Sequence, residues 1–457
     1  MGSYINHNGL PGYAELRAQR NISKNVTLIN GDMTGNAVSE TSGFSARVCK
    51  NGAYGFASSA VYTPESVAAS VAAAAENAAF LDQREKLGKV PFAKVPSFRE
   101  ELRYTREDDV TQKQIIDYMN ELDALVAKLC PKLKSRFTAA RCLTMEKLLY
   151  TSDGVFAHTA TPRSIIYVGL TAEGNDGAPV EIFEPFGTFG VFDEVFTNPV
   201  QYESLIAELY EQVMAKAGGV YAEPGRKQVI LHPDLAGILA HEAVGHTVEA
   251  DFVLSGSVGG PNLNKQVASE LVTMVDFAHT ALGQRCPVPV YVDDEGTPGT
   301  DAVLIENGIL KEFMHNKESA AHFGHTPKGN ARAFAYNDEP LIRMRNTCIL
   351  PGKDKLADMI ASIDDGYYFI KTGNGQADAT GEFMFGVNFG YEIKKGKLGR
   401  PLKDTTIAGV AFDVLKTVDM LSDDLSWSCS GMCGKKQMIP VGMGGPAIRA
   451  FVNVGGR

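Results

Sequence analysis

The 457-residue chain contains no uninterrupted apolar run near the roughly 20 residues that a membrane-spanning helix requires. Its first residues, Met1-Gly2-Ser3-Tyr4-Ile5-Asn6-His7, carry neither a positively charged start nor an apolar stretch, so no secretory signal is expected. Blocks of Lys and Arg are missing too. With 44 basic and 54 acidic residues the net charge is −10, which argues against the basic face that direct nucleic-acid binding needs. Seven cysteines are scattered without a framework spacing, an odd count that suits a reducing compartment better than a disulfide scaffold. The expected location is cytoplasmic, with no membrane contact. No long repeat or low-complexity tail appears. At 44% hydrophobic and 21% charged residues, the composition is that of a globular protein, and the length implies more than one domain.

What the chain does have is the run His241-Glu242-Ala243-Val244-Gly245-His246, led into by the helix-forming stretch 235–240. Two imidazoles flanking a carboxylate resemble the zinc signature H-E-x-x-H, but the histidines here are five residues apart, not four. Four residues turn about 400° on an α-helix and share a face, whereas five turn about 500° and leave the side chains roughly 140° apart. A single-turn π-bulge would realign them. Gly245, just before the second histidine, is where the backbone is expected to bulge or break.

Two imidazoles do not close a catalytic zinc site, which usually has three protein ligands and one open position. Glu249, three residues after His246, and nearby Asp251 are candidates for the third. So is Cys433, flanked by glycines in Ser430-Gly431-Met432-Cys433-Gly434-Lys435, with Cys429 as its competitor. Glu242, on the same turn as His241, is placed to act as general base. Glu249 and then Asp251 are also the candidate acceptors for a metal-bound imidazole. A thiol peptidase using Cys433 with either histidine would share several of these residues, but it gives Glu242 no task.

Turn and cap signals outline the rest. Residues 43–57 read as a hairpin about Asn51-Gly52, a strong type I′ signal. Thr63-Pro64 opens an Ala-rich helix to about Leu81, and a second helix spans about Val110 to Leu129. Strands follow to about Val191, and Asn198-Pro199 caps a helix ending at Gly218-Gly219. Glu223-Pro224-Gly225-Arg226 marks the expected boundary between an N-terminal domain over residues 1–222 and a C-terminal domain over 226–457. Beyond it come a strand at Gln228 to Leu231, the metal helix from about Asp234, and short strands with turns at Asn307-Gly308 and Lys395-Gly396. The fold class is α+β: an N-terminal α/β domain, then a β-rich, barrel-like domain carrying the metal helix. Gly373-Asn374-Gly375-Gln376 lacks phosphate-loop spacing; it reads as a turn, or as a place where a substrate backbone approaches the metal.

Several motifs in one order resemble the TldD branch of the TldD/PmbA peptidase family. They are the run from His241 to His246 with Glu249-Ala250-Asp251-Phe252, then Val267-Ala268-Ser269-Glu270-Leu271, then Val292-Asp293-Asp294-Glu295-Gly296-Thr297-Pro298-Gly299. Leu304-Ile305-Glu306-Asn307-Gly308, Thr326-Pro327-Lys328-Gly329-Asn330, Gly375-Gln376-Ala377-Asp378 and Gly431-Met432-Cys433-Gly434-Lys435 follow. The resemblance covers the C-terminal half and is looser before it. It implies a zinc metallopeptidase with His241, His246 and Cys433 as metal ligands and Glu242 as general base, iron(II) being the alternative ion. It also implies unfolded peptides as substrates, enclosed by a homodimer or a heterodimer with a metal-free paralogue. The non-enzymatic alternative is a zinc-binding regulator of the DNA gyrase modulator type.

Overall fold

The computed structural model describes residues 12–85, 92–106 and 109–455; the N-terminal segment read above for a signal lies outside them. The N-terminal part is a seven-stranded sheet with helices on one side. Its strands are β1 (Tyr13–Ile29), β2 (Asp32–Lys50), β3 (Ala53–Ser59), β4 (Arg99–Arg103), β5 (Ser135–Thr151), β6 (Phe156–Glu173) and β7 (Pro179–Phe189). They run in the order β3-β2-β1-β5-β6-β4, with β7 also pairing β6. Two Asn-Gly turns build its edge. Asn51-Gly52 has positive φ at both positions, 51° and 88°, as a type I′ turn requires, and Asn30-Gly31 repeats the device at 54° and 91°. The second turn makes β1 and β2 one long hairpin, which the sequence reading did not reach.

Helix α1 (Pro64–Glu85) runs four residues beyond its expected end. It lies so close to β3 that a Cβ on Gly55 would sit 1.9 Å from the Ala74 carbonyl oxygen. Helices α2 (Gln112–Leu129), capped by Thr111, and α3 (Glu203–Ala217) cover the same side of the sheet. Even-numbered residues of β1 face these helices: Ala14 and Leu16 pack against α1, Val26 and Leu28 against α2. Odd-numbered ones face the C-terminal half and are polar although buried: Glu15, Arg17, Gln19 and Asn21. Gln19 Nε2 and Asn21 Nδ2 donate to the Phe334 carbonyl at 2.6 and 2.7 Å, and Arg47 on β2 pairs with Glu295.

The C-terminal half closes a five-stranded barrel. Its strands are β8 (Gly225–Leu231), β9 (Asp365–Ala377), β10 (Glu382–Lys394), β11 (Thr405–Val410) and β12 (Ile448–Val454). Only β8–β9 is parallel; β9–β10, β10–β11, β11–β12 and β12–β8 are antiparallel and complete the ring. The Asn307-Gly308 and Lys395-Gly396 turns stand where expected, each with positive φ. Gly373 and Gly375 lie within β9, not in a turn. A Cβ at Gly375 would meet the Phe385 ring at 2.4 Å, so β10 packing requires that glycine.

A second sheet joins Met274–Phe277, Ala302–Glu306, Asn346–Ile349 and Gly442–Gly445 beside the barrel. At its centre the Arg345 guanidinium bonds Asp276 at 2.8 Å, both fully buried. Asp276 also accepts from the backbone of Arg345 and Asn346 and from Asn330. Arg345→Met would strand this carboxylate, and the expected loss is about 3–5 kcal/mol of unfolding free energy. Urea denaturation would measure it; a loss below about 1 kcal/mol would show that the pair does not organise the sheet.

Candidate metal centre

After β8, His232 caps α4 (Pro233–Ile238), with Pro233 at its first position. The helix does not stay α. Leu239–Gly245 is a π-helical turn, and His246–Val248 a 3₁₀ turn. The wider turn answers the spacing problem: the His241 and His246 ring centroids stand 5.3 Å apart with planes at 78°. Gly245 itself has ordinary helical dihedrals, φ −53° and ψ −49°. What requires a glycine there is space, since a Cβ would lie 2.0 Å from Met344 Sδ. Leu235, Leu239, Ala240, Ala243 and Val244 share one core with the inward residues of the barrel.

Cys433 arrives from a small hairpin in which Met432–Cys433 pairs with Ile439–Pro440. Its Sγ lies 3.4 Å from His246 Nε2, across 187 residues of chain. One donor atom from each of His241, His246 and Cys433 falls within 4.8 Å of the others, the only such group of three among the described residues. Glu242 leans over the cluster, its oxygens 3.6 Å from His246 Nε2 and 4.0 Å from His241 Nε2. Its side chain is 28% exposed, so it borders both the cluster and solvent.

Of the other candidates, Glu249 accepts from His246 Nδ1 at 3.0 Å and is fully buried; it orients the ring and does not join the cluster. Asp251 bonds Lys435 Nζ. Cys429 lies elsewhere, near Arg163 and Tyr167, with burial pushing its thiol up to about 11.

Electrostatics fit a metal. Burial would raise the Cys433 thiol, but the neighbouring imidazoles of His241 and His246 outweigh it and hold it down at about 3. Burial would lower His246, yet its contacts with Cys433 and Glu249 raise it to about 10. His241 is near enough to act on the thiol, but neither of its buried ring nitrogens has a hydrogen-bond partner. An imidazole so placed suits a cation, and two nitrogens with a thiolate are a donor set that zinc accepts.

Two supporting cations have no role in the sequence analysis: Arg343 is absent from it, and Lys435 stands there only as part of the cysteine motif. Arg343, fully buried, donates to the carbonyls of Cys433 at 2.6 Å and of Lys435 and Gln437 at 3.0 Å each, fixing the hairpin. Lys435 Nζ bonds Glu249 at 3.1 Å, Asp251 and the Ile342 carbonyl, and stands 4.5 Å over the Phe252 ring. In Leu341-Ile342-Arg343-Met344-Arg345 apolar and cationic residues alternate as on a half-exposed strand, so the sequence carries no sign that Arg343 is buried.

Models of PmbA/TldA metallopeptidases match along the chain: domain 1 over residues 14–78, the central domain over 105–217 and the C-terminal domain over 224–456. The zinc metalloprotease TldD homolog of Saccharolobus solfataricus is 30% identical over 449 residues, 97% of this chain and 96% of its own. The metalloprotease TldD homolog of Buchnera aphidicola (subsp. Schizaphis graminum) is 43% identical over 232 residues, 50% of this chain and 47% of its own. Among solved structures, a candidate DNA gyrase modulator from Thermotoga maritima superimposes with a TM-score of 0.76 at 19% identity, covering 97% of this chain and 95% of its own.

Cys433→Ala should abolish stoichiometric zinc binding while Cys429→Ala retains it, as metal analysis of the purified variants would show; zinc lost from the Cys429 variant alone would reverse the assignment. Lys435→Met should weaken zinc affinity by about 10–100-fold, because Glu249 would then orient His246 without its counter-ion. Competition against a chelating dye would measure that, and wild-type affinity would refute the role.

Proposed function

The chain belongs to the PmbA/TldD metallopeptidase family, and from that premise we propose that it is a zinc-dependent peptidase acting on unfolded peptides, with His241, His246 and Cys433 as metal ligands and Glu242 as general base. The observation that carries this reading is the π-turn that brings both histidines beside a thiol from a remote hairpin.

A zinc ion held there would supply Lewis acidity and lower the pKa of water from 15.7 toward about 7. The residues of the chain do the rest. Glu242 stands beside the two imidazoles with its side chain partly open to solvent, placed to take a proton from water and to return it to the departing amine. Glu249 fixes the ring plane and tautomer of His246 through Nδ1. Lys435 neutralises Glu249, and Arg343 holds the thiol at its height.

No described helix is long and apolar enough to cross a membrane. A cytoplasmic location agrees with the scattered, unpaired cysteines, all seven free. We assign iron(II) as the alternative ion, and a homodimer or a heterodimer with a metal-free paralogue as the working assembly. The regulatory reading, a gyrase modulator using zinc structurally, draws on a likeness of fold alone.

Glu242→Gln should keep zinc and fold but lower kcat on a denatured polypeptide by 100-fold or more, on the order of what a general base contributes. Chelation with phenanthroline should abolish hydrolysis and added zinc restore it. Hydrolysis that survives chelation would point to a Cys433 thiol enzyme. Cellular function that survives Glu242→Gln would point to the regulatory reading.

A further inference from the structure

The C-terminal-facing side of the N-terminal sheet continues past its docked region into a groove of about 450 Å³. Ser23 and Asn25 of β1, Arg141 of β5, and Arg163 and Tyr167 of β6 line it. Ser430 and Met432 line it from the C-terminal half, and Met432 directly precedes Cys433. Consecutive residues of a strand point to opposite faces, so the short strand that turns its thiol toward the imidazoles turns its neighbour toward the groove.

Arg163 is short of partners. One Nη2 hydrogen goes to the Cys429 carbonyl, Nη1 makes a weak 3.8 Å contact with Met432 Sδ, and the buried Nε has no acceptor. A guanidinium carries five donors in a planar fork that matches a carboxylate. Arg47 and Arg343 also leave Nε without an acceptor, but their other donors are engaged, Arg47 with Glu15 and Glu295 and Arg343 with three carbonyls, while Arg345 bonds Asp276 through Nε. Neither Arg163 nor Arg141 forms an ion pair with a carboxylate among the described residues; Arg141 donates to Val26, Thr27 and Ala140. Burial lowers the pKa of Arg163, opposed only by the Cys429 thiol and the Tyr167 phenol. Such a cation, flanked by a second one and by neutral hydroxyl and amide groups, is built for an anion from outside.

We propose that Arg163, with Arg141 at the rim, binds the C-terminal carboxylate of the peptide substrate and so places the cleaved bond a few residues upstream of that end. This rests on the peptidase reading above. The remaining walls, Phe137, Ala139, Leu143 and Ile165, are apolar and offer nothing to select among charged side chains. A terminal carboxylate is the anion that every peptide carries.

The test compares one peptide as free acid and as C-terminal amide, by calorimetric binding to zinc-loaded Glu242→Gln protein and by kcat/KM on the wild type. The free acid should bind about 10–100-fold more tightly and be cleaved near its C-terminus. Arg163→Met should bring free-acid binding down to that of the amide. Equal binding of acid and amide, or no binding of either, overturns the proposal. So does an amidated peptide ending in Glu that binds as tightly as the free acid. A carboxylate preference in binding without hydrolysis by the wild type would sink the peptidase reading and leave the anion site standing. Hydrolysis indifferent to the terminus would do the reverse. The wild-type comparison needs no variant, so a misfolded Arg163→Met protein leaves the result decisive.

Discussion

The centre depends on holding a hairpin thiol against a helix 187 residues earlier in the chain. The segment between them is Leu341-Ile342-Arg343-Met344-Arg345. Ile342 and Met344 press into the core that contains the histidine helix, and Arg343 reaches the other way to three hairpin carbonyls. Each donor is buried, so a guanidinium left without these carbonyls would carry an unpaired charge away from water, a penalty of several kcal/mol. The hairpin is therefore held at one height over the helix, where the thiol meets the imidazoles.

The same segment explains one of the helix's two glycines, and a neighbouring strand explains the other. Gly245 gives way to Met344, and a Cβ at Gly237 would stand 2.9 Å from the Met443 backbone in the adjacent strand. The helix is thus pressed from two sides by backbone and sulfur. Its π-turn is stabilised by this surround, with Leu239, Ala240, Ala243 and Val244 wholly buried. Lys435 completes the arrangement, because it belongs to the cysteine hairpin and bonds the carboxylate that orients His246.

Much of this was legible in the chain. The five-residue spacing announced the π-turn, since no regular α-helix could serve both histidines. Asn51-Gly52, Thr63-Pro64, Asn307-Gly308 and Lys395-Gly396 each marked a real turn or cap, because local dihedral preference decides such positions. The barrel was foreseen as a class but not in its closure, which depends on pairing β8 with β9, far apart in sequence. The role given to Gly245 was local and wrong in kind: its neighbour across the core, not its own backbone, requires the missing Cβ. Arg343, Arg345 and Arg163 were passed over because a buried cation looks like a surface one until its distant partners are known. The carboxylates near the motif divided their tasks in a way spacing could not decide, with Glu249 turned to a ring nitrogen and Asp251 to a lysine.

The alternation along β1 has a further consequence. Between Ala14 and Asn21, Ala14 and Leu16 of one row supply the oily contact with α1, while Arg17, Gln19 and Asn21 of the other supply the bonds to the loop around Phe334, whose amide is held by Gln437 of the cysteine hairpin. Inserting or deleting a single residue there would exchange the two rows, turning Leu16 toward the loop and Arg17 toward the helix. Substitutions in this stretch are absorbed one contact at a time, whereas a change of length is felt at both surfaces together. In this segment, the number of residues is a stricter inheritance than their identity.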